Sequence, residues 1–153
     1  MNSELPLQTG PEMLALPAQP LLDEAAAVEG LKVFLAEDEP MLLWALEEIM
    51  SDLGCTVAGT AARVTDATAF VANNAFDVAV LDATLSDGPV DPVVAVLSAR
   101  GTPVIIASGA AAAECAARFG NAVYLQKPYR DADLRQALLQ ALAPGQSDRK
   151  CVV

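Results

Sequence analysis

Apolar and polar positions change rhythm repeatedly along this chain. Short runs rich in β-forming residues fall at about 31–36, 55–60, 77–82, 103–107 and 122–126. Between them, at about 40–53, 64–74, 89–100, 110–118 and 131–142, lie stretches of helical character, clearest in the first, where apolar residues recur every three or four positions. The first pattern predicts strands buried on both faces, and the second predicts helices that bury one side. Five such β-α units predict a doubly wound α/β fold, in which helices cover both faces of a five-stranded parallel sheet. Right-handed crossovers leave few topologies open.

The first helix is the best defined. Leu42, Leu46, Ile49 and Leu53 form an i, i+3/i+4 face, with Asp38 or Glu39 available as N-cap, Pro40 in the first turn and Gly54 as the stop. Glu47, Glu48 and Asp52 keep the other side wet. Leu43 and Trp44 lie beside the stripe and are expected at the periphery of the core. Cys55 and Cys115 are expected to behave as small buried hydrophobes.

Both ends read differently from the middle. Pro6, Pro11, Pro17 and Pro20 interrupt the first twenty residues, and Leu21–Glu29 has good helix propensity before Gly30. Residues 1–29 are therefore expected to be a flexible arm with a short helix, 30–143 the folded domain, and 144–153 a frayed tail.

Composition narrows the function. The chain is 54% apolar and 19% charged, with aromatics at only 5%, so Ala, Val and Leu must fill most of the core. A net charge of −11 and the lack of a basic patch argue against nucleic acid and anionic membrane as partners. The absence of histidine excludes His-based metal sites and histidine general bases, as well as any relay through a phosphohistidine of this chain. Three cysteines without CxxC spacing read as reduced thiols of a cytoplasmic protein. No run of 18 apolar residues is present.

The chemistry lies at the strand ends. Glu37 and Asp38 follow the first predicted strand, Asp82 ends the third, Ser108 follows the fourth, and Lys127-Pro128 follows the fifth. In open α/β sheets these are the positions that line the ligand crevice. Carboxylates gathered there repel one another unless a cation joins them, and Mg2+ suits an all-oxygen site. Asp38 and Asp82 would ligate it directly and Glu37 through water. Asp82 would then act as an in-line nucleophile toward a phosphoryl group. Lys127 would pair with Asp82 before transfer and with a phosphoryl oxygen after it, and Ser108 would donate to another such oxygen.

From Leu31 to Leu142 the chain resembles the receiver domain of bacterial two-component response regulators. The order Glu37-Asp38, Asp82, Ser108, Lys127-Pro128 carries the resemblance. It implies the CheY-like sheet order 2-1-3-4-5, Asp82 as phospho-acceptor, and the Thr84 backbone carbonyl as a third protein ligand to the metal. It also implies a cis bond at Lys127-Pro128 and Tyr124 as an aromatic switch coupled to Ser108. Ile106-Ala107-Ser108-Gly109-Ala110 resembles an alphaproteobacterial receiver subgroup with a Phe-Ala-Thr-Gly-Tyr signature, keeping only Ala107 and Gly109. The stretches from Asp82 to Ser108 and from Ser108 to Lys127 are shorter than the family norm, so a short or irregular fourth helix is expected.

The expected function is that of a stand-alone, non-enzymatic response regulator. It would accept a phosphoryl group from a histidine kinase or phosphotransfer protein on Asp82 with Mg2+, and signal to a downstream protein by contact. Residues 1–29 would be free to cover that surface or mediate a homodimer. The alternative is a pseudo-receiver interaction module that works without phosphorylation. A phosphatase of similar topology is disfavoured, because Asp82-Ala83-Thr84 lacks the second acid of an Asp-x-Asp nucleophile motif.

Overall fold

The computed structural model describes residues 27–143. The expectations for most of the N-terminal arm and for the tail lie outside them; of the short helix, Ala27, Val28 and Glu29 fall inside, the first two helical and Glu29 in a turn. The elements are β1 (Lys32–Ala36), α1 (Pro40–Asp52), β2 (Thr56–Ala61), α2 (Val64–Asn73), β3 (Val78–Asp82), β4 (Thr84–Leu85), β5 (Gly88–Pro89), α3 (Asp91–Arg100), β6 (Val104–Ser108), α4 (Ala112–Phe119), β7 (Val123–Gln126) and α5 (Asp131–Leu142). The main sheet has order β2-β1-β3-β6-β7 with every pair parallel. Counting only its own strands, this is the expected 2-1-3-4-5. Among the described residues, no helix is long and apolar enough to cross a membrane.

Strand periodicity divides the core into two layers. Val33, Leu35, Val78, Val80, Ile105, Val123 and Leu125 point toward α1 and α5, whose Leu46, Met50, Leu134 and Leu138 are buried against them. Phe34, Ala79, Leu81, Val104 and Ile106 point the other way, toward Val71 of α2 and Val93 and Leu97 of α3. On that side the Phe34 and Phe70 rings stack 4.9 Å apart. The register slips between Val33 and Phe34, placing Phe34 opposite Gly59. A Cβ on Gly59 would lie 2.4 Å from the Phe70 ring, so only glycine lets that ring seat on β2.

Three expectations need correction. Of the predicted α1 face, Leu46 is buried and Ile49 and Leu53 pack against the core, but Leu43 and Met50 take the place expected of Leu42, which is 42% exposed, and Trp44 is 60% exposed. Glu39 occupies the N-cap of α1, yet neither its side chain nor that of Asp38 caps the helix; Glu37 Oε2 accepts the Glu39 N–H instead, at 3.1 Å. The third helix starts at Asp91 rather than 89, because Gly88–Pro89 pairs with Thr84–Leu85 in an antiparallel hairpin. Gly54 does stop α1: its φ of +85° lets its N–H reach Ser51 O while Cys55 N–H reaches Met50 O. The fourth helix, α4, is short at eight residues but regular.

Candidate functional site

Sheet register assembles the site. Ala36 at the end of β1 lies opposite Leu81, which puts Glu37 and Asp38 beside Asp82. On the other side Asp82 lies opposite Ala107, and Ser108 opposite Gln126. The Lys127 N–H donates to Ser108 O at 2.8 Å, which fixes the fifth strand end next to the fourth. The Lys127-Pro128 bond is cis.

The side chains converge on one point. Glu37, Asp38 and Asp82 each present an oxygen, all within 4.8 Å of one another. Lys127 Nζ lies 3.0 Å from Asp82 Oδ2 and 3.4 Å from Glu37 Oε1. Glu37 is the one buried charged residue of the described chain, at 2% exposure. Burial raises its pKa; the Glu39 N–H opposes the rise, Asp82 adds to it and Lys127 counters it. Burial also works against the charge on Lys127, but the hydrogen bond to Asp82 and the charges of Asp82 and Glu37 outweigh it. The ammonium's pKa therefore ends above its ordinary value. One ammonium among three carboxylates leaves excess negative charge. An all-oxygen, partly open set of this kind fits a hard divalent cation such as Mg2+.

A receiver-domain family model, "Response regulator receiver domain", matches residues 33–139. This chain belongs to that family. Among solved structures it is similar to the PhyR response regulator receiver domain of Erythrobacter litoralis, at 30% identity, 76% of this chain, 92% of that chain and a TM-score of 0.63. It is also similar to a response regulator receiver protein of Sinorhizobium medicae, at 28% identity, 74% and 95% coverage and a TM-score of 0.67. The receiver domain of the sensor histidine kinase PA1611 from Pseudomonas aeruginosa, which holds a magnesium ion in its active-site cleft, shares the fold at 23% identity. It covers 72% of this chain and 96% of its own, with a TM-score of 0.64. No curated protein matches the chain.

The other predicted residues of this receiver sit on the neighbouring strand ends and on β7. Ser108 is half-buried, and its Oγ accepts the Ala110 N–H at 3.0 Å. Together with Ile106, Cys115 and Tyr124 it lines a cavity of about 150 Å³. The Tyr124 hydroxyl donates to Gly120 O at 2.7 Å, and burial followed by the neighbouring Cys115 raises its pKa. Thr84 opens the β4–β5 hairpin and is exposed.

Sequence reasoning missed two anchors of the loop after Asp82. Asp87 Oδ1 and Oδ2 accept the Val64 and Thr65 N–H groups at 2.5 and 3.2 Å, capping α2 from the hairpin. Arg118 of α4 pairs with Asp91 at 2.7 Å and reaches the Ala83 carbonyl at 3.5 Å. The Asp87-Gly88 dipeptide was a readable turn signal for the hairpin. Nothing local to Arg118 marks its partner, 27 residues away.

Proposed function

We propose that this receiver accepts a phosphoryl group on Asp82 from a histidine kinase or phosphotransfer protein and passes the signal on by protein contact. One observation carries the reading: three carboxylate oxygens within 4.8 Å, with a single ammonium 3.0 Å from the acceptor. Glu37, Asp38, Asp82 and the Thr84 carbonyl would hold Mg2+, which when bound neutralises charge on the transferring group. The magnesium in the PA1611 receiver cleft supports that assignment.

The Asp82 carboxylate attacks phosphorus in line, and the P–N bond of the donor phosphohistidine breaks with its electron pair returning to the imidazole. Lys127, already donating to Asp82 Oδ2, transfers that hydrogen bond to a phosphoryl oxygen. The Ser108 hydroxyl swings from its Ala110 contact to donate to another. Tyr124 then follows Ser108 into the cavity between them, changing the surface of α4 and β7.

Intact-protein mass spectrometry after incubation with acetyl phosphate and Mg2+ tests this. Wild type should gain one phosphoryl group and folded Asp82→Ala none. Absence of any gain in wild type, with a phosphotransfer donor failing too, would leave a phosphorylation-independent interaction module.

A further inference from the structure

The large apolar side chains that stand exposed among the described residues are Met41 at 74%, Trp44 at 60% and Leu42 at 42%. All three belong to the first five residues of α1. Met41 and Trp44 are i, i+3 neighbours on the side of α1 turned away from the sheet. Further along that side come Glu48, Ser51 and Asp52, all exposed, so the apolar surface is confined to the end beside Asp38. We infer that the run Met13-Leu14-Ala15-Leu16 of this same chain docks there, over Met41 and Trp44.

Reach and composition select that occupant. The chain enters the fold at the opposite end of α1, where Gly30 N–H donates to Gly54 O at 2.7 Å and Cys55 Sγ to Val28 O at 3.2 Å. From there to Met41 the helix measures about 18 Å. The eleven residues from Leu16 to Ala27 span up to roughly 36–40 Å. Leu22 and Leu21, the other nearby apolar pair, span at most roughly 17–22 Å from Ala27, which barely covers the length of the helix and leaves little to cross its width. They are also followed by Asp23 and Glu24, which would meet the acids of α1. Residues 1–26 contain no Lys or Arg, so apolar contact rather than charge must direct the segment. Given the phosphoryl-accepting reading, a segment seated here stands beside the acid cluster. It hinders a bulky protein donor more than a small one.

Trp44 is the only tryptophan of the chain, so tryptophan fluorescence, excited beyond the absorption of Tyr124 and Tyr129, reports this face alone. The experiment compares acrylamide quenching and emission maximum of the full chain with those of a full-length Leu14→Ser/Leu16→Ser variant. Tethering sets an effective concentration on the order of millimolar, so even millimolar affinity docks half the molecules. Quenching should therefore rise about twofold in the variant, with a red-shifted emission. Met41→Ser should raise quenching in wild type and add nothing in the double variant. Identical quenching in wild type and the double variant overturns the proposal. So does a wild-type emission that shifts with protein concentration, which would place a second copy on the face. If fluorescence responds as expected and acetyl phosphate still transfers nothing, the docking stands and the phosphoryl-accepting reading fails.

Discussion

The two flanks of the acid cluster are built in opposite ways. On the side of α2 to α4, the loop after Asp82 is held from both directions, by Asp87 across two N–H groups of α2 and by Arg118 across Asp91 and Ala83 O. On the side of α1, the turn carrying Glu37 and Asp38 has one internal side-chain hydrogen bond, from Glu39 N–H to Glu37. The helix that follows begins without a side-chain cap and exposes Met41 and Trp44. Charged contacts thus secure the loop that follows Asp82, while apolar surface marks the other flank of the acid cluster. Tying a loop to two helices lets a small change at its root move both, whereas an open apolar rim suits something that must come and go.

The contrast is sharpest along α1 itself. Met50 is fully buried and Met41 is 74% exposed, on one helix. Met50→Ala should cost about 2–4 kcal/mol by leaving a cavity, and Met41→Ala within about 0.5 kcal/mol. Urea denaturation of the two variants checks this, and comparable losses would mean the helix sits in another rotation.

Lys127→Ala comes next. It leaves Glu37 and Asp82 without their ammonium, at an expected cost of about 1–3 kcal/mol in metal-free buffer. Mg2+ should recover much of the loss, which thermal unfolding with and without the ion would show. The sign with pH follows from Glu37. Its folded pKa is raised by burial, so the folded state binds the proton more tightly than the unfolded chain. Metal-free stability should therefore increase as pH falls through that raised pKa toward 4.5, more steeply in the variant. A flat profile would mean that burial at Glu37 is relieved by water.

The α4 anchor should be weaker. A double-mutant cycle on Arg118→Ala and Asp91→Ala is expected to give about 0.5–1 kcal/mol, reduced by salt. The Arg118 hydrogen bond holds the Asp91 pKa below 3.8. The coupling is then fully present above pH 3.8 and is lost as pH falls through the lowered folded value. A loss from Arg118→Ala that persists in the Asp91→Ala background would instead belong to packing of the Arg118 guanidinium on the Phe119 ring, whose centroid lies 4.6 Å away.

Much of this was legible in the sequence for a physical reason. Strands buried on both faces must be apolar throughout, so β1, β3 and β6 announce themselves, and the residue ending each run is forced to the sheet's rim. That placed Glu37, Asp38, Asp82, Ser108 and Lys127 together before any coordinates. The first turn of α1 was not legible, because Leu42 and Leu43 are both apolar and only packing chooses between them. Local chemistry suggested Asp38 as a cap, but its carboxylate is drawn into the acid cluster instead. The Arg118–Asp91 pair depends on how α4 lies against α3, which no local pattern encodes.

Asp87 offers the finest test of the contrast, because its effect should be local. It is exposed, and its pKa is lowered chiefly by the Val64 N–H. Asp87→Ala should leave global stability little changed while the Val64 and Thr65 amides exchange faster by hydrogen–deuterium measurement. The same substitution frees the hairpin from α2 at one side while Arg118 still holds the loop at the other. If the α2 flank is a tether for the acceptor loop, amides at Ala83 and Val90 should also lose protection, since both donate within that loop's framework, to Ala107 O and Ala83 O. Faster exchange confined to Val64 and Thr65 would reduce Asp87 to a helix cap, and leave Arg118 as the anchor that makes the two flanks differ.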